Sequence, residues 1–224
     1  MKFAFQAVIF DLDGTLLNTV PAILRTSNLT LHTFSLPPIG EAEVKRFAGD
    51  GVAKLVERFL KHSGGEEAYQ NFFSKACQTY LDFFATNCMH GVLPYPGMME
   101  TLQALHQAGL KLAVLTNKPQ DRAKDNIFGL FGHEIFDTIC GITPQRTPKP
   151  DATTLRELLS QWDLLPTQCL YVGDTNTDML TAQNAAMPKA GALWGFRDRE
   201  ELSHFQPEYL VEQPADLLPI VIQQ

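Results

Sequence analysis

The sequence predicts an α/β protein in which a parallel sheet, covered by helices, is interrupted by an all-helical segment. Three observations support this prediction. Short apolar strands alternate with amphipathic helices over the second half of the chain, one apolar run stands alone near the N-terminus, and the stretch between them has helical spacing. We therefore expect a core formed by residues 1–18 together with 91–224, and a helical insert over residues 19–90.

The first strand is predicted at the apolar run 7–10, which leads into a glycine turn. Within the insert, apolar residues recur at the i, i+3, i+4, i+7 spacing of a buried helix face, from Val52 to Leu60 and again from Phe72 to Phe84. Pro and Gly residues interrupt this pattern at 37–40 and 63–65 and predict breaks between helices there.

Further apolar runs predict the later strands of the sheet. These runs are 110–115, 135–140, 169–172 and 189–193. A helix is predicted between the second and third of them, because apolar residues recur with helical spacing from Leu155 to Trp162, and Asp151 is its expected N-cap. Alternation of this kind is typical of a parallel sheet with helices on both faces.

The composition favours a water-soluble protein with a sizeable core and no nucleic-acid partner. The chain has 224 residues, of which 45% are hydrophobic, and its 18 basic and 25 acidic side chains give a net charge of -7. No segment carries the dense stripe of Lys and Arg that nucleic-acid binding requires.

The sequence also predicts a cytoplasmic protein without a membrane segment. The apolar N-terminus runs directly into Asp11 and Asp13, which makes it too short for a signal peptide with a cleavage site, and no other stretch is long and apolar enough to span a bilayer. The chain has four widely separated cysteines, Cys77, Cys88, Cys140 and Cys169. In a chain of this length, such spacing is typical of free thiols in a reducing compartment. The sequence leaves a monomer and a homodimer equally open.

Residues able to do chemistry are concentrated in short segments that follow predicted strands or begin the next element. The segments are 10–15 (FDLDGT), 115–117 (LTN), 149–150 (KP) and 173–178 (GDTNTD). Ligands of an open parallel sheet bind beyond the carboxyl ends of its strands, near the point where strand order reverses. We therefore expect these segments to form one site.

Asp11 and Asp13 follow the first strand and are the candidates for phosphoryl transfer. Asp11 is suited to attack phosphorus, while Asp13 is suited to protonate the leaving oxygen and then to deprotonate water. The alternative is a carboxylate-rich turn after a buried strand, and the other segments favour the catalytic interpretation.

Asp174 and Asp178 are one helical turn apart and can face the same crevice. Together with Asp11 they supply the oxygen ligands that Mg²⁺ prefers, so we expect a magnesium site. For Asp178 the sequence leaves two roles open, a metal ligand or a carboxylate that caps and complements the N-terminus of a helix.

Lys149 and Thr116 are the expected phosphoryl-binding side chains. The Lys149 ammonium can keep Asp11 ionised and offset the charge of the transferring group, and Thr116 offers a hydroxyl and a backbone N–H. The backbone N–H groups of Leu12 and Asn117 are further candidate phosphate donors. In isolation, a Lys before Pro is usually solvated and a Thr after a strand is usually a turn residue.

Taken in order, these segments resemble the motifs of the haloacid dehalogenase-like hydrolase superfamily, specifically its phosphoglycolate phosphatase-like branch. The resemblance covers essentially the whole chain and implies a Rossmann-like parallel-sheet core with an inserted all-helical cap domain. The second acid, Asp13, argues against the dehalogenases and phosphonatases of the superfamily. The segments 116–118 (TNK) and 194–197 (WGFR) also fit this branch.

The resemblance also implies roles for individual residues. Asp11 would be the nucleophile and first Mg²⁺ ligand, and Asp13 the acid/base with its backbone carbonyl on the metal. Thr116 and Lys149 would bind the phosphoryl group. Asp174 would be the third protein ligand, with Asp178 close behind it.

In this family the helical insert is a cap that closes over the site and selects the substrate. Gly49 and Gly51, in the segment Gly-Asp-Gly, resemble its substrate-binding loop, although a plain helix–helix junction is an alternative. Ala186 departs from the family, which usually has Gly at the end of this helix, and this puts the local backbone geometry in doubt.

The leading hypothesis is a Mg²⁺-dependent phosphatase that acts on a small phosphorylated metabolite, with phosphoglycolate as the first candidate substrate. A pyrophosphatase or a sugar-phosphate mutase of the same superfamily is the nearest alternative. A signalling receiver domain also uses Asp, Thr and Lys, but it carries its acidic pair before the phosphorylated Asp and lacks a helical insert. A non-catalytic phosphate-binding protein would keep the fold without turnover.

Overall fold

The computed structural model describes residues 2–223, which divide into a sheet-containing unit and a helical unit. The first, here called the core unit, comprises Met1–Asn18 and Pro94–Gln224, and the second, the helical unit, is Thr19–Leu93.

Within the described residues, the core unit is built on a six-stranded sheet in the order β6-β5-β2-β7-β8-β9, whose paired strands are all parallel. The α/β class predicted from the sequence is therefore confirmed. The strands of the chain are β1 (Lys2–Phe3), β2 (Ala7–Phe10), β3 (Leu17–Asn18), β4 (Leu93–Pro94), β5 (Lys111–Pro119), β6 (Thr138–Ile142), β7 (Cys169–Gly173), β8 (Lys189–Ala192), β9 (Tyr209–Val211) and β10 (Ile222–Gln223).

The helices of the core unit connect these strands. They are α4 (Met98–Gln107), α5 (Gln120–Phe131), α6 (Thr153–Trp162), α7 (Asn176–Asn184), α8 (Arg199–Ser203) and α9 (Leu217–Val221), with short 3-10 turns at Pro166–Gln168 and Pro214–Asp216. The helical unit contains α1 (Val20–Thr33), α2 (Glu41–Phe47) and α3 (Val52–Asn87). No helix in the span 2–223 is long and apolar enough to cross a bilayer.

The position of β2 determines where the polar segments meet. All four residues of β2 are buried, as expected of a strand with neighbours on both sides. Phe10, its last residue, pairs with Val114 of β5 on one side and with Val172 of β7 on the other. Since β5 leads to β6 on one side and the chain then crosses to β7 on the other, strand order reverses at β2. Ligand sites of such sheets lie at this point.

Several local predictions need correction. The run 135–140 was expected to be a strand, but β6 begins only at Thr138. The reason is that Asp137 is tied to the start of β5: its N–H donates to the Leu112 carbonyl (2.8 Å), and its side chain accepts from the Leu112 N–H (2.8 Å). The N-cap of α6 is Ala152 rather than Asp151, whose carboxylate accepts a hydrogen bond from the Thr153 N–H.

The helical unit packs its two longest helices, α1 and α3, against each other. The break predicted at 63–65 is a kink inside α3, where Gly65 has φ 69° and ψ -168°. The apolar periodicity is confirmed in the buried residues Leu55, Val56, Phe59 and Leu60 of α3.

Candidate active site

Asp11 is the first residue after β2 and is almost completely buried, with 4% of its surface exposed. Its N–H donates to the Val172 carbonyl (2.9 Å), so the backbone continues the pairing of β2 with β7 for one more residue. The carboxylate is thereby held at the carboxyl end of β2, beside the carboxyl end of β7.

Lys149 connects two buried carboxylates. Its Nζ lies 2.8 Å from Asp11 Oδ1 and 2.6 Å from Asp178 Oδ1, and it is 3.3 Å from the Tyr171 hydroxyl. The backbone of Lys149 is held by the Asn117 side chain, which accepts from the Lys149 N–H (2.8 Å) and donates to its carbonyl (3.1 Å). The last residues of β5, which extends to Pro119 rather than ending at 115 as predicted, therefore fix the lysine, although 32 residues separate the two positions.

Both oxygens of Asp174 accept hydrogen bonds from other loops. Thr15 Oγ1 donates to Oδ1 at 2.6 Å, and the Phe196 N–H donates to Oδ2 at 2.8 Å. The Trp194 indole N–H donates to the Thr15 carbonyl at 2.9 Å, which ties the loop after β2 to the loop after β8. The orientation of Asp174 is thus set from two sides.

Asp178 lies in the first turn of α7 and serves the helix terminus and the site together. Its Oδ2 accepts from the N–H (3.0 Å) and the hydroxyl (2.6 Å) of Thr175, which is the N-cap of α7. Its Oδ1 accepts from Lys149 Nζ. Of the two roles left open by the sequence, the structure shows the capping role, with Oδ2 in the cap and Oδ1 on the lysine. The role as a metal ligand stays a prediction.

Glycine residues allow the backbone to approach these carboxylates closely. A Cβ at Gly14 would lie 2.2 Å from Asp174 Oδ2, and one at Gly195 would lie 2.3 Å from Asp174 Cβ. Likewise, a Cβ at Gly173 would lie 2.3 Å from Asp178 Cβ. Any side chain at these positions would displace the carboxylates.

One carboxylate oxygen from each of Asp11, Asp174 and Asp178 lies within 4.8 Å of the other two, and all three residues are buried. Burial and the adjacent Asp178 raise the pKa of Asp11 to about 7, although Lys149 opposes the shift. Burial, with Asp178 and Asp11, also raises the pKa of Asp174 well above its usual range. A single ammonium does not balance this buried negative charge, whereas a divalent cation would. The hard oxygen donors fit Mg²⁺.

Burial opposes the charge of Lys149, but the Asp11 and Asp178 carboxylates outweigh it and raise the pKa of the lysine well above its ordinary value. Lys149 is therefore an ammonium at neutral pH. It lies beside the carboxylate expected to attack phosphorus, where it can offset negative charge.

Asp13 is oriented by a different lysine. Lys118 Nζ lies 2.7 Å from Asp13 Oδ1, and the Lys118 side chain is 2% exposed against 19% for Asp13. Thr116 is also buried, and its hydroxyl accepts from the Lys118 N–H at 3.2 Å.

The structure thus brings Asp11, Lys149, Asp174 and Asp178 into direct proximity. The Asp13 carboxylate pairs instead with Lys118. The Leu12 side chain is fully buried, and its carbonyl accepts hydrogen bonds from the N–H groups of Leu16 (3.0 Å) and Leu17 (3.1 Å). Gly49 and Gly51 belong to the helical unit, where both adopt positive φ values, 117° and 85°.

Sequence reasoning gave no role to several residues that organise the site. They are Thr15, Tyr171, Phe196 and, as the partner of Asp13, Lys118. Thr15 was visible as a member of the segment 10–15, and Lys118 as a member of the segment 116–118 (TNK). The Phe196 contact is made by a backbone N–H and carries no sequence signal.

The chain belongs to the haloacid dehalogenase-like hydrolase family, whose model matches residues 8–192. Among its relatives, the phosphoglycolate phosphatase of Vibrio vulnificus (strain YJ016) is 31% identical, and the match covers 97% of this chain and 96% of the relative. The phosphoglycolate phosphatase of Yersinia pestis is 32% identical, with 99% and 95% covered. The predicted superfamily and branch are therefore confirmed.

The fold agrees with this assignment. The crystal structure of a protein from Haemophilus somnus 129PT, described as a predicted phosphoglycolate phosphatase, superposes with a TM-score of 0.88 at 27% identity and covers 97% of this chain and 98% of its own. The match extends over both units of the chain.

Proposed function

We propose that this hydrolase is a Mg²⁺-dependent phosphatase that cleaves a small phosphomonoester through a phosphoryl group carried on Asp11. The observation on which the proposal rests is the buried pairing of Asp11 with Lys149 inside a cluster of carboxylates at the point where strand order reverses. Family membership and the named relatives support the class of reaction, a phosphoric monoester hydrolysis.

The donor set suits a metal held by Asp11 and Asp174, with the backbone carbonyl of Asp13 as a further ligand. Asp178 would act behind them, because its oxygens already accept from Lys149 and from Thr175. When bound, Mg²⁺ would supply a Lewis acid that offsets charge on the phosphoryl oxygens.

In the first step an oxygen of Asp11 attacks phosphorus, and the bond between phosphorus and the leaving oxygen breaks. The electron pair of that bond stays on the leaving oxygen, which takes a proton from the Asp13 carboxyl. Lys149, the Thr116 hydroxyl and the backbone N–H groups of Leu12 and Asn117 would hold the phosphoryl oxygens during transfer.

In the second step a water molecule attacks phosphorus and gives a proton to the Asp13 carboxylate. The bond between Asp11 and phosphorus breaks, inorganic phosphate leaves, and both carboxyl groups return to their starting states. Asp13 therefore donates a proton in the first step and accepts one in the second.

The helical unit is proposed as the cap, and Gly49 and Gly51 as part of its substrate-binding loop. Within that unit, Arg58 ties the loop to α3, because its guanidinium pairs with Asp50 (2.6 Å) and donates to the Phe47 carbonyl (2.7 Å). A loop fixed in this way could present backbone N–H groups to an anionic substrate.

Phosphoglycolate is the proposed substrate, since the curated relatives described above carry that name. We propose a cytoplasmic location, which the free cysteines Cys77, Cys88, Cys140 and Cys169 support. The expected partner is a small phosphorylated metabolite.

The test is phosphate release from a panel of phosphoglycolate, pyrophosphate, sugar phosphates and other small phosphoesters, with and without Mg²⁺. We expect Mg²⁺-dependent release, fastest from phosphoglycolate, that is lost in Asp11→Asn and kept in the exposed control Asp163→Asn. An isomeric sugar phosphate with little free phosphate would instead identify a mutase. Release that survives both removal of metal and Asp11→Asn would overturn the mechanism.

A further inference from the structure

Lys118, whose side chain pairs with Asp13, is not among the residues proposed above to hold the metal or the phosphoryl group. We propose that Lys118 is a positioning residue that holds the Asp13 carboxyl in the orientation from which it exchanges a proton with the leaving oxygen. This inference rests on the proposed function, because it assumes that Asp13 is the acid/base.

The difference in burial between the partners supports this role. The Lys118 side chain is 2% exposed and the Asp13 side chain 19%, with 2.7 Å between Nζ and Oδ1. A buried ammonium is costly unless an anion compensates it, so the position of the pair is set mainly by the lysine, inside β5. The carboxylate keeps its second oxygen, Oδ2, for other contacts.

The backbone of Asp13 is fixed independently of its side chain. Asp13 forms an isolated bridge with Leu17, and the Gly14 N–H donates to the Leu17 carbonyl at 2.9 Å. With the backbone held by this turn, the rotation of the side chain is the remaining freedom, and Lys118 restricts it.

The two buried lysines of the site therefore contact different carboxylates. Lys149 contacts Asp11 and Asp178, whereas Lys118 contacts Asp13. The segment 116–118 joins the two, because the Asn117 side chain holds the Lys149 backbone. Lys149 thus offsets the charge of the nucleophile Asp11, whereas Lys118 orients the acid Asp13.

This division has a consequence that depends on the leaving group. An alkoxide needs a proton as it departs, whereas a weakly basic carboxylate does not. Loss of Lys118 should therefore slow phosphoryl transfer to Asp11 from phosphoglycolate, which releases an alkoxide, and spare the transfer from acetyl phosphate, which releases acetate. Hydrolysis of phospho-Asp11 is common to both substrates and should slow equally for both, because Asp13 is its base. A purely structural role would affect both transfer steps alike.

The experiment measures kcat and KM for both substrates in the wild type, in Lys118→Met and in the exposed control Lys124→Met, and compares kcat/KM, which reports the transfer to Asp11 and excludes the later hydrolysis of phospho-Asp11. We expect Lys118→Met to lower kcat/KM for phosphoglycolate by about 100-fold and for acetyl phosphate by less than about threefold. Lys124→Met should resemble the wild type. If Lys118→Met does not fold, Lys118→Gln replaces it in the same comparison.

A double-mutant cycle completes the test. In an Asp13→Asn background, Lys118→Met should lower kcat/KM for phosphoglycolate by no more than about threefold further, since the group it positions is gone. Equal losses of kcat/KM on both substrates, or additive losses in the cycle, would overturn the proposal. A wild type that cleaves neither substrate would overturn the proposed function instead, which keeps the two failures distinct.

Discussion

Lys149 Nζ lies 2.8 Å from Asp11 Oδ1, although 138 residues separate the two along the chain. The contact joins the loop after the central strand β2 to the start of the α6 segment, and both side chains are almost fully buried. The lysine also pairs with Asp178, so it is the cation that makes a cluster of buried carboxylates tolerable.

Replacing Lys149 should therefore destabilise the metal-free protein as well as inactivate it. Lys149→Met leaves Asp11 and Asp178 without their ammonium, which we expect to lower the free energy of unfolding by about 3–5 kcal/mol. Phosphate release should fall by about 10²- to 10³-fold. Urea unfolding and phosphate assays measure the two effects, and Lys124→Met is the matched control. Unchanged stability would mean that the carboxylates do not depend on this lysine.

Gly195→Ala should weaken metal binding without unfolding the protein. The added methyl group would lie 2.3 Å from Asp174 Cβ, so the Asp174 side chain has to shift from its present position. We expect at least about a tenfold loss of Mg²⁺ affinity, because ligand geometry around Mg²⁺ is strict. Isothermal titration measures the affinity.

The control for this substitution is Gly40→Ala, at an exposed position in the helical unit where the nearest atom is the end of the flexible Glu43 side chain. Its affinity should equal that of the wild type. If Gly195→Ala also binds Mg²⁺ with wild-type affinity, the position of Asp174 does not depend on the close approach of Gly195.

Mg²⁺ affinity should depend on pH near neutrality. Burial and Asp178 raise the pKa of Asp11 to about 7, so below that pH the metal-free carboxyl keeps a proton that binding must displace. The apparent affinity should fall as pH drops from 7.5 to 5.5, by up to about tenfold per unit for the Asp11 proton. Titrations at a series of pH values measure this dependence. An affinity that is constant from pH 5.5 to 8 would contradict the raised pKa.

Ala186→Gly should stabilise the protein. Ala186 follows α7 with φ 54°, a left-handed conformation that costs a residue with a Cβ about 1–2 kcal/mol, whereas glycine adopts it freely. After the entropy cost of glycine, we expect a gain of about 0.5–1 kcal/mol in the free energy of unfolding.

The neighbouring Ala185 provides the control, because its φ of -90° is ordinary. Ala185→Gly should lower stability by about 1 kcal/mol. Thermal or urea unfolding of both variants checks the pair, and equal effects in the two would contradict the explanation.

The sequence predicts the framework of this protein better than its contacts. The strand 7–10 and the run 169–172 agree closely with β2 and β7, because continuous apolar runs are a strong signal for buried parallel strands. The edge strand β9 and the start of β6 escaped prediction, since short edge strands and side-chain ties such as Asp137 to Leu112 leave no periodicity to detect.

The same distinction holds for the candidate site. Asp11, Asp174 and Lys149 could be predicted because strand ends of a parallel sheet converge. The pairing of Lys118 with Asp13 could not be predicted, since it depends on side-chain rotamers and on the turn at Gly14. Ala186, which stands where the family usually has Gly, left the local backbone geometry open, and the structure shows that it adopts a left-handed φ of 54°.

The central claim, that phosphorus is transferred to Asp11, is tested most directly by trapping the phosphorylated protein. Acid quenching of wild-type protein during turnover of phosphoglycolate with Mg²⁺, followed by peptide mass spectrometry, should find one phosphoryl group on Asp11. Asp11→Asn should show none. A phosphoryl group on any other residue, or steady turnover with no phosphorylated Asp11 at any quench time, would contradict the account.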